Sequence, residues 1–395
     1  MIRLEENKGI PRSMIVLMAV LAGLTVANLY YNQPLLEIMA RDLGTTVLQA
    51  NLITVVTQVG YALGLFFIIP MADLYSSRKI VIASMVVAAV SALSISVAAS
   101  VAVVWAASLL LGVCSVVPQI FIPIAGQFSE PQNKARNMGY VLSGLLTGIL
   151  AARVVSGVVG RWIGWRGMFV VAAVIMAVCC VVAVRLLPTM KRNFSGRLSG
   201  LYLSIFKIIK SHGRICAYSL RGGFAFGSML AIWSCLAFHL AQAPFYAGAD
   251  VVGLLGLCGI AGAMAASGMG KWVPRLGADR MSVMGAVGQI AGWAIALLWG
   301  DSYVGLSVAI IVIDLGLQSQ QLSNQSGCIQ EIPEASNRAN TIFMTTYFIG
   351  GSLGTFLAGL GWHSAQWSGV CLVGAAFALG SLAISTARLL TTKQH

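Results

Sequence analysis

Twelve stretches of predominantly apolar residues, separated by short polar breaks, follow one another along the chain: 14–36, 48–71, 80–99, 101–124, 137–160, 167–187, 215–240, 251–273, 281–299, 303–324, 339–362 and 369–390. About 20 residues of helix cross a hydrocarbon core of about 30 Å. Backbone polar groups surrounded by lipid are satisfied within a helix, not in an open strand. The pattern therefore predicts an all-α integral membrane protein with twelve transmembrane helices. The joins at 99/101 and 362/369 are short and carry no charge, which predicts tight hairpins.

The longest polar connection, 188–214, divides the spans six and six. It predicts an N-terminal half over 1–187, a linker over 188–214 and a C-terminal half over 215–395. A shift of 202 residues places Gln119 on Gln321, Pro131 on Pro333, Arg136 on Arg338 and Gly148 on Gly350. Both Pro/Arg pairs then precede the fifth helix of a half, so the offset respects the topology. Internal repeats of this kind characterise secondary transporters, and they predict two pseudo-symmetric six-helix halves.

Composition narrows the class. Of the 395 residues, 58% are hydrophobic and 9% charged, against about 25% charged in ordinary soluble domains. A soluble enzyme and a nucleic-acid module are excluded. The net charge of +13 is explained by where the cations fall. With the N-terminus cytoplasmic, 20 of the 25 Lys and Arg residues lie in inside segments, and only Arg41, Arg161 and Arg166 lie outside. Positive charge accumulates on the cytoplasmic side of short loops. Both termini are thus expected on the cytoplasmic side, with some attraction to anionic lipid and no nucleic-acid partner. The first apolar stretch is too long for a signal-peptide core and reads as a retained span. Cys114, Cys179, Cys180, Cys235, Cys258 and Cys371 lie inside apolar runs, as small buried hydrophobes.

An ionisable residue inside the bilayer is costly and marks function. Eleven of the twelve acids fall at helix ends or in loops; Asp314 lies eleven residues into the tenth stretch, about 16 Å deep. Gln318, Gln321 and Gln325 share its helix face. Such a stripe faces either a cavity or another helix. Further polar positions are Asn28 and Asn32 on helix one, Thr54, Thr57, Gln58 and Tyr61 on helix two, and Ser108, Ser115 and Gln119 on helix four. Arg153 is the other deep charge, either a substrate-anion contact, a partner for Asp314, or a snorkelling side chain. Arg221 is expected to snorkel toward the cytoplasm. Trp233 is placed to stack on a substrate or on a neighbouring helix, and His239 reads as structural. We expect Asp314 and Arg153 to carry proton coupling, and Asn28, Asn32, Thr57, Gln58, Tyr61, Gln119, Trp233, Gln318 and Gln321 to line a substrate cavity. No nucleotide-binding glycine loop, metal-ligand spacing or nucleophile with a base is present, so neither an enzyme nor a cofactor is expected.

Between helices two and three the chain reads Met71-Ala72-Asp73-Leu74-Tyr75-Ser76-Ser77-Arg78-Lys79, an acid followed by a short basic run. This resembles the loop signature of the major facilitator superfamily. Gly270-Lys271-Trp272-Val273-Pro274-Arg275 is an eroded copy in the second half. Leu74, Ser76, Ser77 and Pro274 depart from the usual pattern. Stretches 28–36, 148–153 and 314–325 resemble a bacterial subgroup of broadly described efflux permeases, although Gly148 is followed by Ile149 where drug antiporters have a Gly-Pro pair. The resemblance implies a cavity lined by helices one, four, seven and ten. It also implies a gating loop of Asp73, Arg78, Lys79, Arg275 and Arg338, with Asp73 docking near the start of helix eleven. The resulting expectation is proton-coupled efflux of a small solute by alternating access, by a functional monomer. An uncoupled or import-type carrier of a sugar-like or organic metabolite, or a non-transporting sensor or degenerate relative, remains open at this point.

Overall fold

The computed structural model describes residues 6–188, 198–259 and 273–392; within these, the side chains of Asp73 and Arg275 are not described. In chain order the helices are α1 (Arg12–Val26), α2 (Leu36–Asp42), α3 (Val47–Leu74), α4 (Ser77–Ser96), α5 (Val101–Cys114), α6 (Val117–Gln127), α7 (Lys134–Leu186), α8 (Leu198–Ser211), α9 (Gly213–Leu240), α10 (Ala249–Leu255), α11 (Val273–Trp299), α12 (Tyr303–Glu331) and α13 (Ser336–Thr392). Nine apolar helical runs among the described residues are long enough to cross a membrane. Two of them, Pro131–Leu186 and Ser336–Leu390, are each broken near the middle, by Gly164 and by Ala365 with Gln366. Each of these is two crossings joined by a sharp reversal. The predicted span 251–273 lies mostly outside the described residues.

The 202-residue offset read from a few letters recurs in the backbone. Short 3-10 turns begin at Pro131 and Pro333. Helices start at Val47 and Ala249, and at Val101 and Tyr303. The reversal residues Gly164 and Gln366 both take positive φ, 73° and 48°, a region glycine enters without strain and glutamine does not. Tight packing repeats as well. A Cβ on Gly148 would clash with the Gly23 carbonyl oxygen, and one on Gly350, its equivalent in the repeat, would clash in the same way with the Gly223 carbonyl oxygen. Small residues let membrane helices approach to backbone contact, so each half is knit by the same glycine crossing.

Three expectations need correction. The first stretch is not one helix: α1 gives way to 3-10 turns at Ala27–Leu29 and Gln33–Leu35 before α2. The fourth breaks between α5 and α6, where Pro118 enters the first turn. Proline has no N–H and clashes with the preceding turn, which sets both interruptions beside Pro34 and Pro118. The linker 188–214 is not merely polar, for it holds α8, whose Tyr202 stacks on Phe66 of α3 at 5.2 Å.

Arg221 does not snorkel. It is fully buried and donates to Asp279 at 2.6 Å, with its guanidinium 4.9 Å from the Tyr218 ring. The counter-ion stands 58 residues away in sequence, out of reach of any local reading.

Candidate functional site

The side chain of Ser302 accepts a hydrogen bond from the Gly305 N–H and so caps α12. Asp314 follows eleven residues along that helix, about 16 Å from its start. Arg153 lies eleven residues before the Gly164 reversal, again about 16 Å from the same end of the bundle. It is deeper than the sequence suggested, because the helix runs past residue 160. The two deep charges thus share one level near the middle of the bilayer, one from each half. The repeat does not duplicate them: Gly112 stands at the position equivalent to Asp314, and Thr355 at that of Arg153.

Arg153 is held on several sides. Its Nε donates to Gln33 Oε1 at 2.8 Å, and its guanidinium lies 4.0 Å from the Trp233 ring and 5.0 Å from the Tyr30 ring. Cation–π contacts of this kind strengthen where water is excluded. The Nη2 nitrogen is buried with no hydrogen-bond partner. Asp314 is 8% exposed and lies within electrostatic range of Arg153.

Both charges face one cavity of about 140 Å³ between the halves. The first half contributes Tyr30, Tyr61, Gln119 and Arg153 to its wall; the second contributes Phe226, Asp314, Gln318, Gln321, Tyr347 and Phe348. Tyr347 donates to Gln321 Oε1 at 3.0 Å, Gln119 donates to the Tyr61 hydroxyl at 3.4 Å, and Phe226 stacks on Tyr347 at 4.0 Å. The chamber pairs amide groups with aromatic faces around an acid and a base. Such a lining can orient a small solute through hydrogen bonds and stacking.

Other sequence candidates sit off this wall. Asn28 donates to the Thr25 carbonyl and to Met176 Sδ, toward the sixth crossing. Asn32 bridges Thr57 and Thr54, tying the broken first crossing to α3. Trp233 is fully buried beneath Arg153. Gln58 is fully buried and neither of its amide atoms has a partner. His239 is bonded to the Gly300 carbonyl and stacked on Trp367. The aromatic wall of Phe226, Tyr347 and Phe348 was missed by the sequence reading. Aromatic residues within apolar helices carry no polar signal, and only packing aims them at a void.

The halves also meet beyond the cavity, toward the Gly164 end. Asn51 of α3 donates to the Thr355 carbonyl of α13 at 2.9 Å, and Arg161 pairs with Asp250. Gln33 Nε2, Asn51 Oδ1, Trp233 Nε1 and Thr355 Oγ1 are buried there without partners. The seam is thus made by side-chain contacts from both halves. At the opposite end a smaller cavity of about 70 Å³ separates Ala72 and Ser77 from Arg338, Asn340 and Thr341. Of the expected gating residues, Arg338 lines that gap, Arg78 donates to the Val184 carbonyl of the sixth crossing, and Lys79 is exposed. The side chains of Asp73 and Arg275 lie outside the described residues. Among the described residues, no group of three or more His, Cys, Asp or Glu side chains is placed to hold a metal ion.

Comparison with known proteins gives a consistent result. The sequence profile of the Major Facilitator Superfamily matches residues 15–355. The uncharacterized transporter YgaY of Escherichia coli O157:H7 is 34% identical over 380 residues, covering 96% of each chain. The probable transporter SCO4007 of Streptomyces coelicolor is 31% identical, covering 93% of this chain and 85% of the other. Among solved structures, the nucleoside transporter NupG superposes with a TM-score of 0.77 at 13% identity, covering 95% of this chain and 99% of that one. A bacterial homologue of the human lysosomal transporter Spinster, inward-facing and unoccupied, gives 0.71 at 14% identity, covering 95% and 94%. At such identities the likeness is one of fold.

Proposed function

Because the chain belongs to the major facilitator superfamily, we propose that it is a proton-coupled secondary transporter that moves a small solute by alternating access between its halves. The observation that carries this reading is the placement of Asp314 and Arg153, from opposite halves and at one depth, on the wall of a single central cavity. A proton on Asp314 removes its attraction for Arg153. That weakens one tie between the halves and shifts the balance of facing states. Export as the direction rests on resemblance to efflux permeases.

We assign the end that carries Arg12, Arg78, Lys134 and Arg338 to the cytoplasm of a bacterial inner membrane, from the 20 to 3 partition of Lys and Arg. The seam at Asn51 and Arg161 then lies on the outer side, and the smaller cavity on the cytoplasmic side. Reporter fusions are expected to show cytoplasmic activity after Gly200 and external activity at Asp301; cytoplasmic activity at Asp301 reverses the assignment. Asp73 is proposed to dock across the smaller cavity at the first turn of α13, where a helix N-terminus favours a carboxylate. Asp73→Asn is expected to raise the cytoplasmic reactivity of cysteines placed in the cavity and to lower flux. Unchanged reactivity and flux would leave Asp73 an ordinary loop acid.

The function itself is tested in two steps. A thermal-shift screen against a broad solute panel identifies ligands, since a ligand that binds only the folded state stabilises it by mass action. Flux of the hits is then measured in proteoliposomes of the protein alone under an imposed pH gradient. Flux that ignores the gradient favours an uncoupled carrier, and no flux of any bound solute removes the transporter reading.

A further inference from the structure

On the opposite face of the fifth crossing from the central cavity lies a larger cleft of about 780 Å³. Helix α1 supplies one wall, with Arg12, Ile15, Val16, Ala19, Val20 and Leu24; α7 supplies the other, with Arg136, Tyr140, Thr147 and Ala151. The central cavity uses Leu142, Leu145, Leu146, Ile149 and Arg153 of the same helix. At 100° per residue these two sets point about 180° apart. The cleft therefore opens away from the transport path. Val16 and Val20 are 55% and 51% exposed, so it faces the hydrocarbon.

The chemistry of the cleft changes along its length. From Arg12 to Leu24 the rise is about 18 Å, and a single leaflet contributes about 15 Å of hydrocarbon. The deep part is apolar and ends where α1 and α7 meet at the Gly23–Gly144 crossing. The shallow end is polar and positive. Arg12 opens α1 and Arg136 lies in the first turn of α7, so two helix N-termini and two guanidinium groups converge. Neither arginine has an ion-pair or hydrogen-bond partner among the described residues. Among the described residues, the acid on the cleft wall is Glu130, which accepts from Gln132 and Asn133 on its own turn.

We infer that this cleft is a binding site for an anionic phospholipid, its phosphate held by Arg12 and Arg136 and one acyl chain laid along α1 to the glycine crossing. Charge complementarity selects the headgroup, and the one-leaflet length selects an acyl chain over a soluble anion. The site is separate from the solute cavity, and the inference stands whichever solute is moved.

The test uses the full-length protein in nanodiscs of phosphatidylcholine, titrated with phosphatidylglycerol and read by native mass spectrometry and thermal shift. Phosphatidylglycerol is expected to bind in preference to phosphatidylcholine and to raise the melting temperature. The double variant Arg12→Ala/Arg136→Ala is expected to bind it about thirtyfold more weakly, about 2 kcal/mol, as two juxtamembrane cations at about 1 kcal/mol each imply. Val20→Trp fills the apolar part and is expected to displace the lipid with both arginines intact. Lys207→Ala/Lys210→Ala, on the linker helix, should leave binding unchanged. Equal retention of both lipids, equal loss from the two double variants, or no effect of Val20→Trp would overturn the assignment to this cleft. Glycerol phosphate that binds as well as the lipid would overturn the acyl-chain part.

Discussion

In Asp314→Asn, pH-driven accumulation of the solute is expected to fall to background, while binding and gradient-free exchange change by less than about threefold, under about 0.7 kcal/mol. The amide keeps the shape of the side chain and its reach into the cavity of about 140 Å³. What it removes is the ability to alternate between a charge that attracts Arg153 and a neutral group that does not. A substitution that spares binding but abolishes coupling separates the proton's role from that of a substrate ligand. Arg153→Gln is expected to fail differently. Arg153 is bonded to Gln33 and stacked on Trp233, so its loss disturbs the seam between the halves as well as the charge balance, and exchange falls together with coupling. Retained uphill transport in Asp314→Asn would remove this carboxylate as the coupling site, and the cavity would then be a binding chamber alone.

Asp279→Ala is expected to lower stability by about 3 kcal/mol, read as a fall in the melting temperature of the detergent-solubilised protein. Arg221 is 0% exposed, and Asp279 is its ion-pair partner at 2.6 Å. Removing the acid strands a guanidinium whose Nε and Nη2 already lack partners. The cost lies in the uncompensated charge, not in the lost attraction. Arg221→Met combined with Asp279→Ala should accordingly recover much of the loss, because well-packed apolar replacements of buried ion pairs are often neutral or stabilising. A double variant as unstable as the single one would show that the pair acts through packing of the Arg221 stem.

Sequence alone determined the membrane, the crossings and the repeat, and the reason is physical. Lipid forces apolar helices of fixed length, and those can be counted; an internal duplication keeps its offset at every turn, so Pro131 and Pro333 announced two equivalent 3-10 turns. It also picked out Asp314 and Arg153, because a charge deep in an apolar run is conspicuous wherever it points. Tertiary structure decided what each polar group meets. Asn28 and Gln119 look alike along the chain, yet one is spent on Met176 inside its own half and the other lines the central cavity. Arg153 and Arg221 are both single cations in apolar helices; one is cradled by aromatic rings beside the cavity, and the other is neutralised by an acid near the start of α11. A helical pattern gives a side chain's direction about its own axis. Which neighbour occupies that direction depends on how the helices cross, and those crossings are set by backbone contacts such as Gly23 on Gly144, formed between residues far apart in the chain.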